Sequence, residues 1–424
     1  MTYGLIGGNL SHSFSKLIHE KLGDYKYSLF SLNEEDFKKM LSERNFDGVN
    51  ITIPYKKTAM AFCDEISEIA KEIGAINTIY KKADRLIGTN TDYDGFLYML
   101  KRAGISLGNK KVLILGAGGT SLTVQKCAKD MGASKISVAY RNHDFSLEKD
   151  ANIIVNTTPV GMFPNNGEKI IDISAFPKCE GVLDVVYNPL LTDILLRAKE
   201  FGIPFSGGLP MLVAQATAAA NLFTGSNYAA DKNCEQGRNY EAGKSYETKN
   251  EEILMWLLES LKNIVLIGMP GSGKSTTGKL LAKGLNKTFV DLDEIIIEKA
   301  GMSIQEIFEK HGEVFFRNLE TEACSEYGKQ KNLVIATGGG AILRKENMDA
   351  LMQNGEIIFI ERDIAKLAKD GRPLSKDLET LKKLYSERLP LYKKYSDHMI
   401  DCAENAAGSA EETASKITSI LQAL

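Results

Sequence analysis

The sequence predicts an α/β fold built on parallel, doubly wound sheets, and three observations carry that expectation. Short apolar runs bounded by glycine alternate with longer amphipathic stretches, the rhythm of βαβ units. They are Val112 to Leu115, Ile136 to Ala139, Asn152 to Val155, Gly181 to Val186, Ile264 to Ile267, Leu333 to Ala336 and Glu356 to Ile360. A glycine turn, Gly116-Ala117-Gly118-Gly119-Thr120-Ser121, follows the first of these runs, and another, Gly268-Met-Pro-Gly271-Ser272-Gly273-Lys274-Ser275, follows the fifth. Each sits between a strand and a helix start, where backbone N–H groups and the helix dipole can meet a phosphate.

Length and composition agree with two such units. The chain has 424 residues, 43% of them apolar and 25% charged, the composition of a soluble multidomain globular protein. From residue 263 onward 22 lysines and arginines meet 24 acids, and before it 30 meet 31, so neither half carries the basic surplus of a nucleic-acid binder. Six scattered cysteines include no C-x-x-C pair and have no histidine at metal-ligand spacing, which suits a reducing cytoplasm and argues against a zinc site. Tyr3-Gly4-Leu5-Ile6-Gly7 reads as a strand rather than a signal segment, and no run of 18 apolar residues occurs; the expectation is no export and no membrane span.

Glu251 to Leu261 reads as an amphipathic helix with Ile253, Trp256, Leu257 and Leu261 on one face, and it ends where the strand Asn263 to Ile267 begins. The halves therefore divide as 1–262 and 263–424. The helix's apolar face needs cover, which places it on the first half. The polar stretch Gly225 to Glu252, rich in Asn, Glu, Lys, Gly and Tyr, reads as an insertion containing a mobile loop.

In the second half the turn matches G-x-x-x-x-G-K-[ST]. Gly271, Ser272, Gly273, Lys274, Ser275 and Thr276 line a nucleotide phosphate cradle, Lys274 reaches the transferring phosphate, and the Ser275 hydroxyl can ligate Mg²⁺. The next strand, Thr288 to Asp293, ends in Asp291 and Asp293 at i, i+2, so both carboxylates are expected on one face at the ligand end of the sheet. Asp291 then assists Mg²⁺ and Asp293 orients an acceptor hydroxyl, against a plainer reading as a helix N-cap. Farther on come Phe316-Arg317-Asn-Leu-Glu320, Gly338-Gly339-Gly340, Gly371-Arg372-Pro373-Leu374 and Glu387-Arg388-Leu-Pro390-Leu-Tyr392. Together with the phosphate loop these resemble shikimate kinase from Asn263 to about Leu424, in order and spacing. The resemblance implies that Asp293, Arg317, Gly339, Gly340 and Arg388 hold shikimate and that Arg372 lies on a lid closing over ATP. Paired guanidiniums clamp a carboxylate, and a lid arginine adds charge to the transferring phosphoryl.

In the first half, Gly4-Leu-Ile-Gly7-Gly8-Asn-Leu-Ser11-His12-Ser13-Phe-Ser15 ends a strand in a hydroxyl-rich loop, a cradle of neutral donors for a small carboxylate. Gly48-Val-Asn50-Ile-Thr52-Ile-Pro54-Tyr55-Lys56 alternates along a strand and sets a lysine past a proline-fixed turn. Gly74-Ala-Ile-Asn77-Thr and Asn90-Thr-Asp92-Tyr-Asp94-Gly95 add amides and a carboxylate. This order resembles shikimate dehydrogenase. It implies a substrate domain of 1–100 with returning helices from about 215 to 262, and a Rossmann-like dinucleotide domain of about 101–214. The matching substrate positions are Ser13, Ser15, Asn50, Thr52, Lys56, Asn77, Asp92, Tyr187 and Gln215. Reduction of a ketone needs a proton for the developing alkoxide, so Lys56 and Asp92 form the acid–base dyad, with Asp94 read as a helix N-cap.

The matching cofactor positions are Gly116, Ala117, Gly118, Gly119 and Gly208, with the loop Asn156-Thr-Thr-Pro-Val-Gly161-Met162 near the nicotinamide. Arg141 stands where an NAD enzyme would place an acid, so a guanidinium paired with a 2′-phosphate, and hence NADP(H), is expected. Beside the polar insertion around Ala230 to Thr248, which the family mostly lacks and which touches no matched site residue, two departures matter. Lys16 replaces the family's proline in the serine loop, and only about ten residues separate Tyr140 from Asn152, where a helix, a strand and a helix are normal. The second predicts a shortened cofactor sheet. The expected activity is NADPH-dependent reduction of 3-dehydroshikimate to shikimate followed by ATP- and Mg²⁺-dependent phosphorylation of shikimate. The competing readings are a kinase whose first half has become a binding or regulatory module, and a quinate/shikimate dehydrogenase using NAD.

Overall fold

The computed structural model describes residues 2–10, 13–140, 143–225, 246–364, 367, 378–402 and 409–422. They form two compact units: Met1–Met162 with Lys169–Leu257, and Phe163–Glu168 with Leu258–Leu424.

The first unit holds two sheets. Strands β1 (Tyr3–Gly7), β2 (Tyr27–Ser31), β3 (Gly48–Ile51), β4 (Glu65–Ile66), β5 (Thr78–Lys82) and β6 (Arg85–Thr89) lie in the order β2-β1-β3-β5-β6-β4. β1, β2 and β3 run parallel, whereas β5 pairs antiparallel with both β3 and β6, which fixes Asn50 opposite Thr78. Helices α1 (Ser15–Leu22), α2 (Glu34–Glu43), α3 (Glu68–Ile73) and α4 (Asp92–Ala103) accompany them. Phe37 and Leu41 of α2 close on Ile6, Val49, Ile51 and Ile79 to make a core.

The second sheet is entirely parallel: β7 (Lys111–Leu115), β8 (Lys135–Ala139), β9 (Ile153–Asn156), β10 (Gly181–Asp184) and β11 (Phe205–Ser206), in the order β11-β10-β9-β7-β8. Its helices are α5 (Gly119–Asp130), α6 (Asp193–Glu200) and α7 (Leu209–Thr224). Among the described residues a single 3-10 turn, Phe145–Leu147, lies between β8 and β9. β8 is therefore the edge, and the sheet is as short as the spacing predicts. α7 packs closely on α4 because residue 95 is glycine; a Cβ there would stand 2.6 Å from the Met211 carbonyl.

Helix α8 (Tyr246–Leu261) begins five residues before the predicted start at Glu251. Composition makes Tyr246 to Asn250 read as loop, but tertiary partners override it. The Tyr246 hydroxyl donates to the Ala214 carbonyl, and Tyr98 and Arg102 of α4 both bind Glu251. Ile253, Leu254 and Leu257 are buried. Residues 226–245 of the polar insertion lie outside the described residues.

The second unit is one parallel sheet, β13-β14-β12-β15-β16. In chain order its elements are β12 (Asn263–Ile267), α9 (Lys274–Leu285), β13 (Thr288–Asp291), α10 (Leu292–Ala300), α11 (Ile304–Gly328), β14 (Leu333–Ala336), α12 (Lys345–Met352), β15 (Gly355–Glu361), α13 (Leu378–Tyr395), β16 (His398–Asp401) and α14 (Ala410–Gln422). Among the described residues no helix is long and apolar enough to cross a membrane.

Two local expectations need correction. β13 stops at Asp291, which caps α10 by accepting the Asp293 amide at 3.0 Å, so Asp293 lies in a first helical turn and the shared strand face does not exist. Capping satisfies an otherwise orphaned N–H, and that ended the strand early. Likewise α4 starts at Asp92 with Thr91 as N-cap, which puts Asp94 inside the first turn rather than at the cap.

Candidate active sites

In the first unit Lys56 follows β3 and Asp92 opens α4, and the fold joins them: Lys56 Nζ donates to Asp92 Oδ2 at 2.5 Å. Their side chains are only 12% and 10% exposed, so the pair is poorly screened and each charge holds the other in place. Asn77 fixes the remaining carboxylate oxygen, its Nδ2 donating to Asp92 Oδ1 at 2.9 Å and approaching Gln215 Oε1 at 3.4 Å. Its own Oδ1 accepts from the Thr91 amide at 2.7 Å and the Thr78 hydroxyl at 3.1 Å. Asn50, set opposite Thr78 by the antiparallel register, donates to the Thr78 hydroxyl at 3.0 Å and accepts from the Tyr27 hydroxyl at 2.6 Å. Lys56, Asp92, Asn77, Asn50 and Gln215 are thus one hydrogen-bonded cluster, able to present an oriented ammonium beside neutral amides.

Ser13, Ser15 and Tyr187 form a second group. The Ser15 amide donates to Ser13 Oγ at 3.2 Å, and the Tyr187 ring lies 5.3 Å from that of Phe14. Burial pushes the Tyr187 phenol up, and a hydrogen bond with Ser13 partly offsets this. With Lys16 in place of proline, α1 starts at Ser15 without a side-chain cap. Thr52 directly follows β3, with its methyl toward Gly7.

The glycine turn of the second sheet lies next to this cluster. Gly116 has φ +103°, closed to any side chain by Thr157 and Thr158. Ala117 is exposed, Gly118 caps α5 and Gly119 opens it. A Cβ on Gly119 would stand 3.3 Å from Lys56 Cδ, and Lys56 Nζ is 3.4 Å from the Thr120 hydroxyl. Gly208 caps α7 against the Val185 carbonyl, too close for a side chain. Beneath that loop Asp184 is fully buried, accepting from Thr192 Oγ1 at 2.6 Å, the Val186 amide at 2.9 Å and Asn156 Nδ2 at 3.0 Å. Arg141 lies outside the described residues, as does Arg372.

In the second unit the loop after β12 turns on glycines at φ +150° (Gly268), +83° (Gly271) and +91° (Gly273), conformations that side-chain-bearing residues rarely adopt. Lys274 opens α9 and its Nζ donates to the loop carbonyls of Gly268 and Met269 at 3.0 and 2.9 Å. Thr276 follows in the same helical turn. Ser275 Oγ donates to Asp291 Oδ2 at 2.5 Å, joining the hydroxyl and the carboxylate expected at Mg²⁺. Oxygen donors of these two kinds are what a magnesium ion takes.

Beside the loop, three glycines are wedged. A Cβ on Gly338 would stand 2.7 Å from Asp293 Oδ1 and 2.9 Å from Glu320 Oε1; one on Gly339 would stand 2.5 Å from Pro270 Cδ; one on Gly340 would stand 2.3 Å from Arg317 Nη1. Arg388 Nη1 and the Tyr392 hydroxyl both donate to the Gly339 carbonyl, at 3.0 and 2.6 Å. Arg317 donates to Glu320 Oε2 at 2.8 Å and to Glu313 Oε1 at 3.1 Å. Burial opposes the Arg317 charge, and the two carboxylates more than restore it. Burial also pushes Glu320 up, with Arg317 pulling the other way. Asp293, Arg317, Gly339, Gly340 and Arg388 are therefore brought together.

Tyr27, Thr78, Thr91 and Asp184 carry no signal in the sequence beyond strand, cap or core. Glu320 and Tyr392 stand in the Phe316–Glu320 and Glu387–Tyr392 motifs, and the i, i+3 spacing of Arg317 and Glu320 is the signal for their ion pair.

Comparison with known proteins gives two family matches. Residues 270–422 match the model for shikimate kinase, and residues 5–79 match that for the shikimate dehydrogenase substrate binding domain. The shikimate dehydrogenase (NADP(+)) of Clostridium perfringens (strain SM101 / Type A) is 38% identical over 260 residues, 55% of this chain and 95% of its own length. Among solved structures, shikimate dehydrogenase 1 from Peptoclostridium difficile superposes with a TM-score of 0.52 at 31% identity, covering 60% of this chain and 97% of that one. Shikimate 5-dehydrogenase from Thermus thermophilus, solved in complex with NADP(H) and shikimate, gives 0.50 at 31% identity, with 60% and 98% covered.

Proposed function

Because the chain belongs to the shikimate dehydrogenase family over its first half and carries a shikimate kinase domain in its second, we propose that it reduces 3-dehydroshikimate with NADPH and phosphorylates the resulting shikimate with ATP. What supports this reading is the Lys56–Asp92 pair set among amides in one half, and in the other the gathering of Arg317, Arg388 and the glycine turn beside the phosphate loop. The product of the first is the acceptor of the second.

In the reductase, bound NADPH would supply the hydride. Lys56 gives the proton to the developing alkoxide while Asp92 and Asn77 hold its ammonium on line. Ser13, Ser15 and Tyr187 take the substrate carboxylate, and Asn50, Thr52, Asn77 and Gln215 its hydroxyls. Gly116 to Gly119 would hold the pyrophosphate and Gly208 the nicotinamide side, with Arg141 as the residue for the 2′-phosphate. In the kinase, Gly271 to Thr276 would cradle the ATP phosphates, Ser275 and Asp291 would hold Mg²⁺, and Lys274 and Arg372 would neutralise the transferring phosphoryl. Asp293 orients the 3-hydroxyl, with Arg317 and Arg388 on the carboxylate. A reducing cytoplasm suits the free thiols Cys63, Cys127, Cys179, Cys324 and Cys402.

The test supplies purified protein with 3-dehydroshikimate, NADPH, Mg²⁺ and ATP, following NADPH absorbance and ADP release separately. Both signals are expected. Absence of NADPH oxidation removes the first assignment, and absence of shikimate-dependent ADP release removes the second.

A further inference from the structure

His19 takes no part in the roles assigned above, although it is fully buried in the first unit. It lies in α1, four residues after Ser15, so the two side chains share one face of that helix a turn apart. Ser15 is buried as well. A histidine at this depth is costly unless it stays neutral. Burial holds its pKa down to about 3, with Asn50 opposing the shift.

The imidazole is held from two directions. It stacks on Tyr27 with centroids 3.9 Å apart and planes 4° from parallel, and its Nδ1 shares a 2.8 Å hydrogen bond with the Tyr25 hydroxyl. A neutral ring pinned in this way fixes the Tyr27 ring in turn. β1 lies between β2 and β3, and Tyr27 reaches across it, its hydroxyl donating to Asn50 Oδ1 at 2.6 Å. From Asn50 the hydrogen bonds run through the Thr78 hydroxyl at 3.0 Å and Asn77 Oδ1 at 3.1 Å, and Asn77 Nδ2 reaches Asp92 Oδ1 at 2.9 Å. One imidazole thereby joins the helix that opens on Ser15 to the amide cluster around Lys56 and Asp92.

We propose that His19 is a positioning residue for reduction, setting the spacing between the serine loop and the Asn50–Asn77 amide cluster through its stack on Tyr27. The proposal rests on the reading of this unit as a reductase in which those two groups take the carboxylate and the hydroxyls of a ring-shaped substrate. A rigid ring presents its substituents at a fixed separation, so a shift of either group weakens binding of the keto acid while the dinucleotide turn is left as it was.

The test is steady-state reduction by the full chain, with KM for 3-dehydroshikimate and KM for NADPH measured separately. Wild type is compared with His19→Leu, His19→Phe, Tyr27→Phe and the double variant His19→Leu/Tyr27→Phe. Loss of the aromatic pair should raise KM for 3-dehydroshikimate about three- to tenfold in His19→Leu. His19→Phe, which keeps a ring, should stay within about twofold of wild type, and KM for NADPH should be unchanged throughout. The double variant should be no worse than the poorer single one, because both changes cut the same connection. A role in packing alone would lower the urea midpoint and leave KM for 3-dehydroshikimate unaltered, which overturns the proposal; so do effects that multiply in the double variant. Should His19→Leu not fold, His19→Gln, polar but without a ring, is measured in its place. A wild type that oxidises no NADPH sinks the reductase reading and this proposal with it, a result distinct from active variants with unchanged KM.

Discussion

Replacing Gly339 by alanine measures how rigidly the acceptor turn is opposed to the phosphate loop. Gly339 is not among the glycines with positive φ, so alanine suits its backbone and the effect is purely one of space. The added methyl would stand 2.5 Å from Pro270 Cδ and 2.9 Å from Pro270 N. Carbon atoms pack at about 3.5 Å or more, which leaves a shortfall of about 1 Å. A proline ring is tied to its own backbone and cannot rotate aside, so the loop or the turn must move. Overpacking of this kind costs about 1–3 kcal/mol of stability. The functional loss is larger. Arg388 and Tyr392 are anchored on the Gly339 carbonyl and move with it, and a misplacement of about 1 Å at a reacting site costs on the order of 100-fold in rate. A coupled ADP-release assay should show kcat/KM for shikimate falling by roughly that factor while NADPH oxidation is unchanged. A kcat/KM within about threefold of wild type would refute the argument that turn and loop are locked together.

Lys56→Ala should abolish reduction and leave phosphorylation intact, and Lys274→Ala should do the reverse; loss of both activities from either change contradicts independent sites. Tyr27→Phe leaves Asn50 Oδ1 without its 2.6 Å donor in a buried setting, a cost of about 1–3 kcal/mol. Steady-state reduction should show it as a raised KM for 3-dehydroshikimate, and an unaltered KM would mean Asn50 is held without Tyr27. Burial pushes the Asp184 carboxyl up to about 7, above its ordinary value of 3.8, so the folded unit keeps a proton that the unfolded chain releases. That contribution is complete below the ordinary value and lost as pH rises through 7. Asp184→Asn, neutral throughout, should therefore gain in urea midpoint relative to wild type as pH rises from about 4 to 7, and a difference constant with pH would exclude the buried proton.

The parts of the molecule legible in the sequence are those whose physics is local. The phosphate loop is contiguous, its glycines are demanded by positive φ, and strand and helix flank it as the motif requires. The short cofactor sheet was legible too, because ten residues cannot hold a helix, a strand and a second helix. What failed was local competition with near-equal alternatives. Asp291 could extend a strand or cap a helix, and the cap prevailed; Asp94 lost the cap position to Thr91. What stayed invisible depends on register. Tyr27 reads as an ordinary strand aromatic until the parallel pairing of β1 with β2 and β3 brings it to Asn50.

The missing strand of the second sheet also bears on self-association. A doubly wound sheet normally buries its second strand between neighbours, but here β8 offers one side of its backbone N–H and C=O groups to any chain that can align with it. Edges of that sort seed intermolecular pairing when they are long and apolar. β8 is five residues long and opens on the exposed Lys135, which makes it a short margin with a charge at its start. Economy in the cofactor sheet is thus matched by a short margin with a charge at its start, the kind of edge that disfavours sheet extension between molecules.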